Sequence, residues 1–315
     1  MLAVVVCALA RLSSARAGVA LVYHRVGGEG GDARLEILAA VSEDSFRRQL
    51  QHLRRHYHVV PASELLEAVR GRRRGQRFPA AITFDDDLAD HVREALPVLQ
   101  REGLTATFFL GGTSLAGPHR FWWEDLQLAI DDRLVEPDAI PHVAEADVRA
   151  ALERSPKAIF RVAAAIEQLD RPQRGETADV LRAAAGPPGA DQGLRAANVQ
   201  ALIAGGAEVG FHTLRHDLLP ALSDSELADA LREGRDELAA VIGTRLEVIS
   251  YPHGRADQRV ADAARAAGFT CGFVTGREPV TPDTNPLLIP RIPPALSPGT
   301  TALRLARAVA SSASP

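Results

Sequence analysis

The chain has a single lysine, two cysteines and no apolar run long enough to cross a bilayer. Lys157 stands alone among 36 basic residues, an arginine bias that is compositional and assigns no function. Cys7 and Cys271 lie far apart in apolar stretches, which argues against a disulfide framework and a cysteine metal site. Any metal must therefore be held by histidine and carboxylate. No stretch reaches the ~18–20 apolar residues of a spanning helix, so no transmembrane segment is expected. Charge of one sign is also lacking: 36 basic against 40 acidic residues leave a formal charge of −4. That balance is too slight to imply a nucleic-acid partner or electrostatic capture at an anionic membrane.

What is present is a globular composition, 46% hydrophobic and 24% charged over 315 residues, compatible with one large barrel or two average domains. Met1 to Ala10 is apolar and Ala15-Arg16-Ala17 has the small-x-small form of a cleavage site. However, no positive charge precedes the apolar run inside the chain, Arg11 cuts it short, and a strand begins at Gly18. A retained N-terminal segment (1–17) and a cytoplasmic location are favoured, with secretion or the cell envelope as the alternative. Oligomeric state is not legible.

Short apolar runs alternate with helical patterns, the signature of βα units around a mostly parallel sheet. Strands are expected at 18–24, 80–85, 105–110, 208–212, 246–251, 269–274 and 287–292, with a weaker one at 58–60. Helices are expected at 44–57, 62–70, 90–102, 198–204, 224–242 and 257–267. Ser42, Ser63 and Ser223 with Glu226 have the form of N-caps, and Gly103, Gly243 and Gly268 the form of left-handed C-caps. From about 112 to 197 the rhythm lapses into a helical insertion, expected to pack over one side of the barrel. The segment 298–315 reads as a tail that frays at its end.

Three consecutive carboxylates, Asp85-Asp86-Asp87, end the strand read at 80–85. In a parallel barrel such strand ends face the functional mouth, and stacked like charges are costly unless a cation lies between them. Taken alone, the cluster could equally cap the next helix, a role open to Asp90. His212 and His216, four apart at another strand end, could be a surface coincidence. Together with one carboxylate, however, two imidazoles make a facial set for a borderline divalent cation with positions open for water and substrate.

Thr83 to Asp86, then His212-x-x-x-His216, then Tyr251-Pro252-His253-Gly254, resembles in order and spacing the polysaccharide deacetylase family, or NodB homology domain, over roughly residues 18–295. Tyr23-His24-Arg25-Val26 and Phe121-Trp122-Trp123 are similar to a branch linked to surface-glycan synthesis or modification. The resemblance implies a distorted (β/α) barrel over 18–297 and a hydrolase that removes acetyl groups from an acetylated carbohydrate, most naturally N-acetylated amino sugars. It implies Asp85 as catalytic base, Asp86, His212 and His216 as metal ligands, and Pro252 and Gly254 as the wall of the substrate groove, with Tyr251 lining the same face. The cofactor implied is a divalent metal, zinc first, with cobalt, nickel or manganese as alternatives.

Three departures stand out. Asp87 occupies the family's usual Gly position, where it could strain a left-handed backbone or add charge beside the metal. No histidine follows His253, so the proton donor to the leaving amine is His24, His253 or water. The family's arginine before the Tyr-Pro-x-Gly loop is missing, Ser250 standing nearby; Arg291, at the end of the last strand, could supply the positive partner that orients Asp85 and is counted with the substrate-binding residues. Trp122 and Trp123 could stack on sugar rings, though anchoring the insertion is the plainer role. A pseudoenzyme that binds glycan or metal without turnover is the main rival. An iron oxygenase is disfavoured by the βα alternation, and a glycosidase by adjacent aspartates that cannot flank a bond at separations of ~5–9 Å.

Overall fold

A computed structural model describes residues 11–312, so Cys7 and the apolar run Met1–Ala10 lie outside the described residues. The chain divides into two compact units, the first containing 11–29, 41–116 and 194–312, the second 30–40 and 117–193.

The first unit carries β1 (Val19–Tyr23), β2 (Tyr57–Val59), β3 (Phe78–Asp85), β4 (Thr107–Leu110), β5 (Glu208–Phe211), β6 (Val248–Ser250), β7 (Cys271–Thr275) and β8 (Ile289–Ile292). Every pairing between these strands is parallel. β1 pairs with both β3 and β8, which closes a ring from β3 through β8 back to β1; β2 lies against the first residues of β3 only. The molecule is thus the distorted (β/α) barrel expected. A barrel strand is covered on both faces and must read as a continuous apolar run. β3, FPAAITFD, is buried at all eight positions.

Among the described residues the α-helices with bounds are, in order, α1 (Glu43–His56), α2 (Leu65–Gly71), α3 (Leu96–Glu102), α4 (Trp122–Asp131), α5 (Glu145–Leu152), α6 (Ala158–Glu167), α7 (Arg171–Ala185), α8 (Ala196–Ala204), α9 (Asp224–Ala230), α10 (Arg235–Ile242), α11 (Gln258–Ala266) and α12 (Pro298–Ser311). α1 illustrates why they form where they do. Ser42 Oγ accepts from the amide of Ser45 at 3.3 Å, Glu43 and Asp44 occupy the first turn, and Arg54, Arg55 and His56 the last. Each end matches the helix dipole. Phe46, Leu50 and Leu53 then bury one face. Behind the mouth, Tyr23 stacks on Phe84 at 5.3 Å and Phe84 on Phe108 at 4.7 Å.

Four expectations change. The helix read at 224–242 is broken, because Gly234 takes φ 76° between α9 and α10. Ser63 caps nothing with its side chain; it sits inside a 3-10 turn whose N-cap is Pro61. Asp90 makes no side-chain cap either, lying instead 3.6 Å from Arg25. The segment read as a tail from 298 forms α12, which buries Ala302, Leu305, Ala306 and Val309. Its last three residues lie outside the described residues.

The second unit holds α4 to α7 around its own core, including Leu126, Ile130, Val148, Ile159, Val162 and Leu181. Trp123 stacks on Phe121 at 4.3 Å and Trp122 packs against this core, so both tryptophans serve the unit's own packing. Arg120 and Asp125 form a buried ion pair, and Arg120 Nη2 also donates to the carbonyl of Gly186 at 2.6 Å. No helix among the described residues is long and apolar enough to cross a membrane.

Candidate active site

All the polar groups of interest stand at the carboxyl ends of barrel strands, the face on which barrels place chemistry. β3 ends at Asp85, and the chain then turns sharply, Asp86 adopting φ 75°. Aspartate visits this left-handed region more readily than most residues. The turn leaves Asp86 Oδ1 3.5 Å from His212 Nε2 and 3.5 Å from His216 Nε2, the ligand atoms of all three lying within 4.8 Å of one another. Oδ1 is buried and has no hydrogen-bond partner. A buried carboxylate oxygen left bare between two imidazole nitrogens is costly, and a cation bridging the three would remove that cost.

The imidazoles are prepared for such a role. His212 Nδ1 lies 2.8 Å from the Ser250 carbonyl, so Nδ1–H donates and Nε2 keeps its lone pair toward Asp86. Burial alone would lower the His212 pKa, but Asp85, Asp86 and the Ser250 carbonyl together raise it. Burial and the neighbouring His253 hold His216 well below the ordinary histidine range, hence neutral. Burial works against ionisation of Asp86, yet its pKa lies below the usual carboxylate range, His212 being the first of the neighbours that lower it. Two imidazole nitrogens, from which a bound cation displaces any proton, plus an anionic oxygen fit a borderline divalent cation.

Asp85 faces a different partner. Arg291, fully enclosed on β8, donates from Nη1 to Oδ1 and from Nη2 to Oδ2, both at 2.6 Å. Ser250 Oγ donates to Oδ2 at 3.1 Å while accepting from Arg291 Nη2 at 2.6 Å, and Arg291 Nη1 reaches Thr83 Oγ1 at 3.0 Å. Burial pushes the Asp85 carboxyl up, but the Arg291 charge, then His212, leave it below its ordinary value. The carboxylate is therefore ionised and fixed in orientation.

His24, half-buried at the end of β1, has its carbonyl 3.0 Å from His91 Nε2. His253 takes φ 59° and sets its ring 4.7 Å from that of His216, edge to face. His253 thus touches His216, while His24 stands close enough for its charge to act on Asp85 and Asp86.

Three of the expected groove residues are placed otherwise. Tyr251 is fully buried with its hydroxyl donating to the Leu287 carbonyl at 3.0 Å, so it backs the loop instead of lining it. Arg291 has no exposed surface and spends its guanidinium on Asp85, Ser250 and Thr83, so it is the positive partner of Asp85 that the sequence suggested but cannot reach a substrate. Pro252 is buried as well. Gly254 is required by its own surroundings: with φ 64°, a Cβ there would stand 2.0 Å from Thr275 Oγ1 and 2.9 Å from the Thr275 amide nitrogen. Gly254→Ala is expected to cost about 1–3 kcal/mol by overpacking, read as a lower urea midpoint, with kcat falling as His253 shifts.

Asp87 neither strains the backbone nor faces the ligand cluster. The positive φ belongs to Asp86. The Asp87 carboxylate, 1% exposed, accepts from the amides of Gly111 at 2.9 Å, Gly112 at 3.3 Å and Ser114 at 3.3 Å. Thr113 in turn donates to the Leu214 carbonyl at 2.6 Å, so this loop braces the turn between His212 and His216. Asp87→Gly should leave three amides without acceptors and cost about 1–3 kcal/mol, measured by urea unfolding, with weaker metal binding as the second readout. This bracing and the Ser250 bridge were missed because both depend on contacts over 24 or more residues; the one local signal was a polar residue ending β6 level with Asp85.

Residues 72–272 match the family model described as polysaccharide deacetylase. No curated protein sequence matches the chain. Among solved structures, the chain resembles the deacetylase PplD of Streptococcus pyogenes in complex with acetate at TM-score 0.61 and 16% identity, covering 95% of this chain and 99% of that one. IcaB from Ammonifex degensii gives 0.58 and 17%, covering 93% and 97%. The de-N-acetylase from Aggregatibacter actinomycetemcomitans gives 0.53 and 15%, covering 88% and 94%.

Proposed function

Because the chain belongs to the polysaccharide deacetylase family, whose members hydrolyse acetyl amide or ester bonds, we propose that it removes N-acetyl groups from amino sugars of a polysaccharide or glycan precursor with the help of a divalent cation, zinc by preference. The observation that carries this reading is the convergence of Asp86, His212 and His216 on one bare carboxylate oxygen. Those three side chains would hold the cation. When bound, it supplies an acidified water and a polarised acetyl carbonyl.

The protein's own groups do the rest. Asp85, ionised and oriented by Arg291 and Ser250, takes the proton from the attacking water. His253, beside His216, gives a proton to the departing amine, with His24 as the alternative donor. Arg291 neutralises the base without competing for substrate, since it is wholly enclosed. The preference for nitrogen over oxygen follows the de-N-acetylase among the structures of this fold.

Acetate release from chitooligosaccharides, run beside O-acetylated xylan, tests the reading. The expected result is turnover of the N-acetylated substrate, cut ~10²–10⁴-fold by His253→Gln and little changed by His24→Gln. Turnover of xylan alone would overturn the amide assignment, and equal loss in the two variants would overturn the choice of donor.

A further inference from the structure

The end of the barrel opposite the mouth carries a second constellation that acetyl removal does not use. A cavity of about 670 Å³ lies beside β2 and the start of β3, with Arg54, His58, Arg72 and Arg77 among its lining residues and apolar walls that include Tyr57 and Leu104. No carboxylate is among the described residues that line it. The slight net negative charge of the chain conceals this local excess. The run Arg70-Gly71-Arg72-Arg73-Arg74-Gly75-Gln76-Arg77 holds five arginines and no acid. Arg55, Arg73, Arg74 and Arg77 are exposed. Burial, followed by the fields of Arg55, Arg77 and Arg11, holds His56 below its ordinary range.

Helix C-termini account for part of the cluster, since Arg54 and Arg55 end α1 and Arg70 ends α2, where cations are favoured. They do not account for Arg73, Arg74 and Arg77, and Arg72, although it is the C-cap of α2, turns its guanidinium to carbonyls outside that helix. Arg54 has a carboxylate partner, Glu102, at 3.1 Å. Arg72 has none among the described residues. It is 4% exposed, with its guanidinium carbon 3.8 Å above the Phe78 ring. Nη2 donates to the carbonyls of Arg11 at 3.2 Å and Gln76 at 3.0 Å, and Nη1 to that of Ala15. Its Nε is buried with no acceptor. A buried cation held only by neutral carbonyls, with a second arginine nearby, is costly without a counter-ion.

We propose that this cavity binds a phosphate group. Guanidinium forks match phosphate oxygens bidentately, a doubly charged group offsets several cations at once, and the volume suits a ligand larger than a simple ion. The apolar walls accommodate what the phosphate is attached to, whether a soluble phosphate compound or a lipid with a phosphate headgroup.

Calorimetric titration of the full-length protein with inorganic phosphate, at ionic strength balanced with potassium chloride, tests the site. The comparison is the double variant Arg54→Ala with Arg77→Ala, two pocket residues outside the acetyl-removing machinery, with Arg215→Ala as a distant control. Saturable binding weakened at least tenfold in the double variant, unchanged in the control and accompanied by unaltered acetate release, is the expected result. Co-sedimentation with phosphatidylglycerol vesicles identifies the source: retention that phosphate displaces assigns a lipid headgroup, and phosphate binding without retention assigns a soluble ligand. Absence of binding to either probe, or binding of equal strength in the double variant, overturns the proposal.

Discussion

Asp85→Asn is expected to lower kcat for acetate release by roughly 10²–10⁴-fold, the usual contribution of a general base, while metal affinity changes little. The amide keeps the shape of the carboxylate but cannot accept the water's proton. It also turns an NH₂ toward Arg291 or Ser250, both of which already donate to this position. Arg291 would then be a buried cation without its anion, a loss of about 3–5 kcal/mol. Stability should therefore fall together with kcat, and the two must be measured on the same sample. The acid limb of the stability curve gives an independent check. The folded Asp85 pKa is depressed, so its contribution is complete above the unfolded value of roughly 4 and is lost as pH falls through the lower folded value. That segment of acid destabilisation should flatten in Asp85→Asn.

His212→Ala is expected to weaken zinc binding by more than the ~10–100-fold typical of losing only a ligand's hydrogen-bond partner, and to abolish acetate release at matched metal concentration. The reason is geometric. The tautomer of His212, a proposed ligand, is fixed by the Ser250 carbonyl at 2.8 Å, and Ser250 also touches Asp85, the proposed base. One residue thus ties the orientation of His212, the proposed ligand, to that of Asp85. Asp86→Ala should bind metal as poorly but lose less stability, because it removes the bare buried oxygen along with the ligand. Competing apo-protein against a chromogenic chelator gives the affinities, and urea unfolding without metal gives the stabilities. If the two variants bound zinc as tightly as the wild type, the ligand assignment would be wrong.

The barrel strands were legible because each is covered on both faces and reads as a short apolar run, β3 most plainly. The carboxylates and histidines were legible because they stand directly at the ends of those runs. What sequence could not reveal depended on side-chain direction or on distant partners. Tyr251 follows β6, as a lining residue would, but its hydroxyl turns inward to Leu287. Asp87 looked like a third charge beside a metal, yet turns to the amides after β4. Gly234 lies within an uninterrupted helical pattern, and only its positive φ divides α9 from α10. In α12, Pro298 at the first turn and buried Leu305 and Val309 were visible signals of a helix, obscured by the weakly patterned residues after Ser311.

The most direct test of the account is the stoichiometry of metal and activity. Protein stripped with a chelator and titrated with zinc or cobalt should recover acetate release from chitooligosaccharides in proportion to bound metal, reaching its plateau at one ion per chain, with no recovery in His212→Ala. Full activity in the stripped protein, or recovery by His212→Ala equal to that of the wild type, would contradict it.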